Sequence, residues 1–164
     1  MNALRNSPPA DYLCSNDFTQ GGFRPHGEFS CWMEDGLLVW ESRGPFNLEA
    51  LQAYGRTRQA AFARWQLDDK PIAAVMHWVG SALMSPEAFA CYARGFEAFI
   101  ASRHHYAAVA WVARSEVEGL DLMRSRFEPL FKQHGLAFGV FPDMDTARRW
   151  AMQHLLAARQ AAQA

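Results

Sequence analysis

Between Glu28 and Arg43 the chain reads as two apolar-rich runs of seven residues, FSCWM-centred and LLVW-centred, around Asp35-Gly36. Asp-Gly favours a two-residue type I′ turn, in which both positions take positive φ. The pattern therefore predicts a β-hairpin with strands over 28–34 and 37–43. The turn fixes the register, placing Glu34 opposite Leu37, Met33 opposite Leu38, Trp32 opposite Val39 and Cys31 opposite Trp40. Met33, Leu38, Cys31 and Trp40 then share one face, and Trp32 and Val39 the other. Both faces carry bulky apolar groups, so the hairpin is expected to be covered on both sides.

Downstream, helical and strand periods alternate. Gly44-Pro45 ends the second strand, and Asn47 is an N-cap for a helix over 48–65. Its apolar stripe is Leu48, Leu51, Tyr54, Ala61, Phe62 and Trp65. After the break at residues 68–71, IAAVMHWV is a continuous apolar strand over 72–79, as in an interior strand covered on both faces. Ser85-Pro86-Glu87 starts a helix that runs to about Ser102, with Phe89, Tyr92, Phe96 and Phe99 on its stripe. YAAVAWVA predicts a strand over 106–113. Ser115 and Glu118 form a capping box for a helix bearing Leu120, Met123, Phe127 and Leu130, which Pro129 should kink or split. Gly135 suits the C′ position. LAFGVF is a last short strand, and Asp143 caps a helix with Ala147, Trp150, Ala151 and Leu155.

The order β-β-α-β-α-β-α-β-α predicts an α/β fold: one mixed, mostly parallel five-stranded sheet with right-handed crossovers and helices packed against it. Residues 1–27 read as an irregular leader, residues 28–158 as the domain and residues 159–164 as a tail. Tyr12, Leu13, Phe18 and Phe23 in the leader are able to dock on the body or on a neighbour.

Composition narrows the function classes. The chain has 164 residues, the size of one domain, and half of them are hydrophobic, which excludes a mainly disordered protein. Sixteen basic residues against 17 acidic ones give a net charge of −1. That balance provides no electrostatic footprint for nucleic acid or an anionic membrane and leaves self-association unopposed. Cys14, Cys31 and Cys91 are widely spaced and form no CxxC pair, so reduced thiols are expected. No apolar run reaches the length of a signal peptide core or a membrane span, and a cytoplasmic location follows as the expectation.

No strong catalytic pattern appears. The loop GSALMSPE has one glycine and no phosphate-cradling motif, and no GxSxG elbow is present. The histidines (26, 77, 104, 105, 134 and 154) form neither HxH nor HExxH, so no metal or cofactor is expected. His77 stands out, because a polar ring in the middle of an apolar strand requires a partner. It is either a satisfied core histidine or part of a pocket. With Ser81, Ser85 and Glu87 it would define a ligand site at the carboxyl end of the 72–79 strand, where open α/β sheets bind ligands. Glu34 and Glu41 read as solvated edge charges. Of six tryptophans, Trp32, Trp40, Trp78 and Trp111 fall on strands; they either fill the core or line an interface. Trp32, Trp40 and Phe23 are the interface candidates.

The hairpin followed by ESRGPFNLEALQAYGRTRQAAF resembles the strand–Gly–helix start of STAS-type domains. LAFGVFPDMDTARRWAMQHL is similar to the close of SpoIIAA-like proteins, at Val140, Phe141, Asp143, Ala147, Trp150 and Leu155. The resemblance covers about residues 28–156. It implies a small mixed sheet with packed helices and a regulatory role in bacteria, as in antagonists of anti-sigma factors. Such antagonists dock on a partner switch kinase and are controlled by phosphorylation of a serine at the start of the helix after the central strand. Here that segment is SPEAF, with Pro86 and Glu87 at the two serine positions and Ser85 at the preceding acid position. The phospho-switch therefore does not carry over. The expected function is a non-enzymatic regulatory, protein-binding domain that self-associates, as a homodimer. The alternatives are a carrier or sensor of an apolar or anionic small molecule, and an enzyme in which His77 or His104 is paired with an acid.

Overall fold

The computed structural model describes residues 8–102 and 106–164. The hairpin forms in the predicted register, β2 (Glu28–Glu34) against β3 (Leu37–Arg43), with Asp35 at φ 51° and Gly36 at φ 83°. Helix α1 spans Leu48–Trp65, and the Asn47 side chain accepts from the Ala50 N–H at its start. Strand β4 (Ile72–Val79) and helix α2 (Pro86–Ala101) follow, the latter capped by Ser85. Then come β5 (Tyr106–Val112), α3 (Leu120–Gln133), β6 (Ala137–Phe141) and α4 (Met144–Ala161). Helix α4 continues into the segment read as a tail.

The sheet has six strands, not five. The extra one is β1 (Leu13–Cys14), which pairs antiparallel with β2 inside the segment read as irregular. Its cause is tertiary: Ser15 is 1% exposed and its Oγ accepts a 3.0 Å bond from the Phe29 N–H. The described part of the leader is tied to its own domain further along. Arg64 pairs with Asp11, Arg56 Nε donates to the Phe18 carbonyl at 2.6 Å, and Asn47 Nδ2 donates to the Arg24 carbonyl at 3.1 Å.

Strand order is β1-β2-β3-β4-β5-β6, antiparallel up to β3 and parallel from β3 to β6. Three successive right-handed crossovers stepping in one direction place their helices on one face. Accordingly α1, α2 and α3 enclose the larger core, with Trp40, Trp78, Trp111, Phe96, Phe127 and Phe131. Helix α4 alone covers the other face, against Leu37, Val39 and Val75. That second layer is lined by alanines (Ala73, Ala108, Ala110, Ala147 and Ala151, all 0% exposed), which lets α4 approach the sheet closely. Both hairpin faces are thus covered, as the apolar pattern requires.

Two helix signals were overridden. The Ser115–Glu118 capping box does not form: α3 begins at Leu120 behind Gly119 at φ 70°, without a side-chain cap. Residues 115–118 instead reach back to β4's exit loop, where Glu118 N–H donates to the Gly80 carbonyl at 2.9 Å and Ala82 N–H to the Glu118 carbonyl at 2.8 Å. Pro129 does not split α3. It lies on the exposed face, so the carbonyl it leaves unbonded can meet water, while buried Phe127, Leu130 and Phe131 hold both halves to the core.

Candidate functional site

The predicted strand-end site does not assemble as four residues. Alternation along β4 points His77 to the α4 face, in register with Glu41 on β3 and Val112 on β5. Helix α2, which carries Ser85 and Glu87 at its start, packs on the opposite face. Ser81 is 4% exposed; its Oγ accepts from the Leu83 N–H and its carbonyl from the Gly44 N–H, both at 3.2 Å. Ser85 Oγ accepts from the Ala88 N–H at 3.2 Å, so it is a helix cap. Glu87 is exposed in the first turn of α2. Both hydroxyls stitch the β4–α2 loop rather than face a common cavity.

His77 has different neighbours. Its Nδ1 lies 3.8 Å from Glu41 Oε2, and Glu41 is ion-paired with Arg43 at 2.7 Å. Glu41 is therefore not a free edge charge. Burial pushes the His77 imidazole below its ordinary range; Glu41 opposes that, and Arg43 and Arg114 reinforce it. At 3.8 Å the pair is beyond hydrogen-bond reach, and the carboxylate is engaged by Arg43, so the geometry does not orient His77 as a general base. His104 and His105 lie outside the described residues. Among the described residues no group of three or more His, Cys, Asp or Glu is placed to hold a metal ion.

The tryptophans divide. Trp40, Trp78 and Trp111 are at most 2% exposed and sit in one aromatic core; Trp78 meets Trp111 edge-on at 4.8 Å. Trp40 is therefore a core residue and not an interface residue. Its indole N–H and that of Trp78 have no hydrogen-bond partner among the described residues. Trp32 is half-buried beside α4, with its Nε1 3.4 Å from Glu34 Oε2, and Arg148 of α4 pairs with the same carboxylate. Phe23 is 81% exposed.

A site that the sequence reading did not single out lies between α1 and α2. A groove of about 410 Å³ is lined from α1 by Tyr54, Gly55, Arg56 and Arg58, and from α2 by Tyr92, Gly95 and Phe99. Arg58 is 7% exposed. Its Nη2 donates to the Gly95 carbonyl at 2.9 Å, and its guanidinium carbon lies 4.6 Å from the Phe99 ring centre. Arg58 occupies the one gap in the predicted α1 stripe, four residues after Tyr54 and four before Phe62. A charged residue in phase with an apolar stripe was the available signal.

The strand order, with its antiparallel start and one-sided trio of helices, can be compared with solved structures. One is an uncharacterized protein of the DUF3478 family from Shewanella loihica PV-4, described as having a SpoIIAA-like fold. It superposes with a TM-score of 0.54 over 80% of this chain and 98% of its own, at 13% identity. The fold is SpoIIAA-like. At that identity the likeness speaks for architecture alone. The SpoIIAA-like resemblance of residues 28–156 thus holds for the architecture, with β1 as an added edge strand. No protein-family model matches the sequence, and no curated protein matches it. No helix among the described residues is long and apolar enough to cross a membrane.

Proposed function

We propose that this chain is a non-enzymatic, cytoplasmic regulatory domain that works by docking on protein, and that the first surface it recognises is a second copy of itself. The observation that carries this reading is the outer rim of β6. The two sheet edges differ. At one end β1 is only two residues long. At the other, β6 pairs with β5 on one side and with nothing on the other among the described residues. Its sequence, AFGVF, contains no charge and no proline, and all five residues are half-buried. Monomeric proteins usually blunt such an edge with lysine, proline or a bulge. Antiparallel pairing of two β6 rims about a two-fold axis would satisfy both rims at once. Pro86 and Glu87, in place of the family's serines, leave this docking without phosphorylation control at that position.

Size-exclusion chromatography with light scattering tests the reading. The wild-type chain should elute as a dimer. Val140→Lys, whose stem can keep the partial contact with the larger core while its ammonium reaches water at the edge, should elute as a monomer with an unchanged circular dichroism spectrum. A wild-type monomer at high concentration overturns the self-association.

A further inference from the structure

Helix α1 buries a positive charge that nothing in the chain neutralises. A guanidinium carries five N–H donors and stays protonated under all ordinary conditions. That of Arg58 has the Gly95 carbonyl at 2.9 Å, the Tyr54 phenol beside it and the Phe99 ring below it. No carboxylate pairs with it. Residues 1–7 and 103–105 contain no Asp or Glu, so every acid of the chain is among the described residues. Buried charges in folded proteins are ordinarily paired. This one instead lines a groove whose wall holds two arginines and no acid.

The rest of the wall fits an apolar guest with one charged end. Tyr54, Phe62, Tyr92 and Phe99 supply rings. Gly55 lies in mid-helix, where glycine is disfavoured relative to alanine. A Cβ built there meets nothing within 4 Å, so the groove reaches the α1 backbone. On the other wall a Cβ at Gly95 would stand 3.6 Å from Arg58 Nη2, an ordinary contact, so the guanidinium lies close against the α2 backbone. The second arginine, Arg56, is only partly buried, so water screens its charge, and its Nε donates to the Phe18 carbonyl at 2.6 Å. One buried cation without a carboxylate calls for one negative charge, and a planar guanidinium matches a carboxylate in a bidentate pair. The groove volume, about 410 Å³, lies in the range of small-molecule sites.

We propose that the α1–α2 groove is a binding site for an apolar monocarboxylic acid, aliphatic or aromatic, whose carboxylate pairs with Arg58 and whose body lies along Tyr54, Tyr92 and Phe99. This inference stands independently of self-association at β6, which lies at the far edge of the sheet.

Isothermal titration with octanoate and 4-phenylbutyrate, and with their alcohols 1-octanol and 4-phenylbutanol, tests it on the full chain. At least one acid should bind the wild type tenfold or more tightly than its alcohol, and inorganic phosphate should not compete. Arg58→Met should abolish that preference. Gly55→Leu has room for its Cβ and projects its side chain into the groove, so it should keep the fold and lose acid binding at least tenfold. If Arg58→Met fails to fold, Gly55→Leu still decides. The site is overturned if neither acid binds at millimolar concentration, if acid and alcohol bind equally, or if Gly55→Leu binds as the wild type does.

Discussion

Replacing Arg58 by methionine should stabilise the protein. The substitution removes the charge and keeps an unbranched side chain of similar reach in the slot between Tyr54 and Phe99. Two favourable interactions are lost. The charge-assisted bond to the Gly95 carbonyl contributes about 1.5–3 kcal/mol, and the desolvated contact over Phe99 about 2 kcal/mol. Gly95 sits inside α2, so its carbonyl retains a helical N–H partner. Against this stands the burial of an ion, several kcal/mol even after relaxation, which here has no carboxylate to offset it. Burying the methionine side chain adds about 1.5–3 kcal/mol. Even buried ions that are paired are often replaced by apolar residues with a gain of about 1–4 kcal/mol. An unpaired one should fall on the same side, so the expected gain is about 1–3 kcal/mol. At about 2–4 °C per kcal/mol for a chain of this size, the melting temperature rises by about 2–12 °C. Urea denaturation followed by the fluorescence of the core tryptophans measures it, with the denaturant slope unchanged as the check that both states are comparable. A loss of 1 kcal/mol or more would falsify the claim that the Arg58 charge is uncompensated.

Two further outcomes are expected. Ser15→Ala leaves the Phe29 N–H buried without its acceptor, and should cost about 1–3 kcal/mol in urea denaturation; an effect below 0.5 kcal/mol, on the order of an ordinary surface change, would mean that the leader does not hold β2. His77 has its proton affinity lowered in the folded state, chiefly by burial. The unfolded chain therefore binds the proton first on acidification, and stability should decline as the pH drops from about 7 through the ordinary histidine value near 6.5 towards the lower folded one. His77→Gln should show a shallower decline over that window, and superimposable pH profiles would refute the assignment.

What could be read from the sequence was what neighbouring residues decide among themselves. Asp35-Gly36 sets its own turn and hence the register of the whole hairpin. Asn47, Ser85 and Asp143 each cap a helix from one position outside it, accepting from the backbone N–H three residues on. The continuous apolar run over 72–79 became the central strand because both its faces are covered. The features that escaped are those settled across the chain. Strand β1 exists only because β2 lies beside it and the Ser15 hydroxyl meets Phe29. The Ser115–Glu118 box is a sound local signal that lost to pairing with the loop at Gly80. His77, a polar ring in an apolar strand, needs a partner, but its neighbour Glu41 comes from a different strand and through the parallel register of β3 and β4.

The Arg58 groove belongs to the same class. Within α1, the run GRTRQ looks like a solvated face, because arginine is ordinarily exposed. Only the phase contradicts that: position 58 falls on the stripe that Tyr54 and Phe62 define. What turns a misplaced charge into a site is supplied 37 residues later, by a glycine whose carbonyl accepts from it. A further four residues on, Phe99 lies against it. Each oddity has a bland explanation alone, since arginine stems cover apolar surface and helices tolerate an occasional glycine. Together they form a cavity wall with a bare backbone patch on one helix, a missing side chain on the other and an unanswered charge between them. A helix pair that needed only to pack would gain stability by removing any of the three. Their joint presence is the physical reason to read the groove as built for a guest, and the expected gain from Arg58→Met is the direct measure of what the unpaired charge costs the fold.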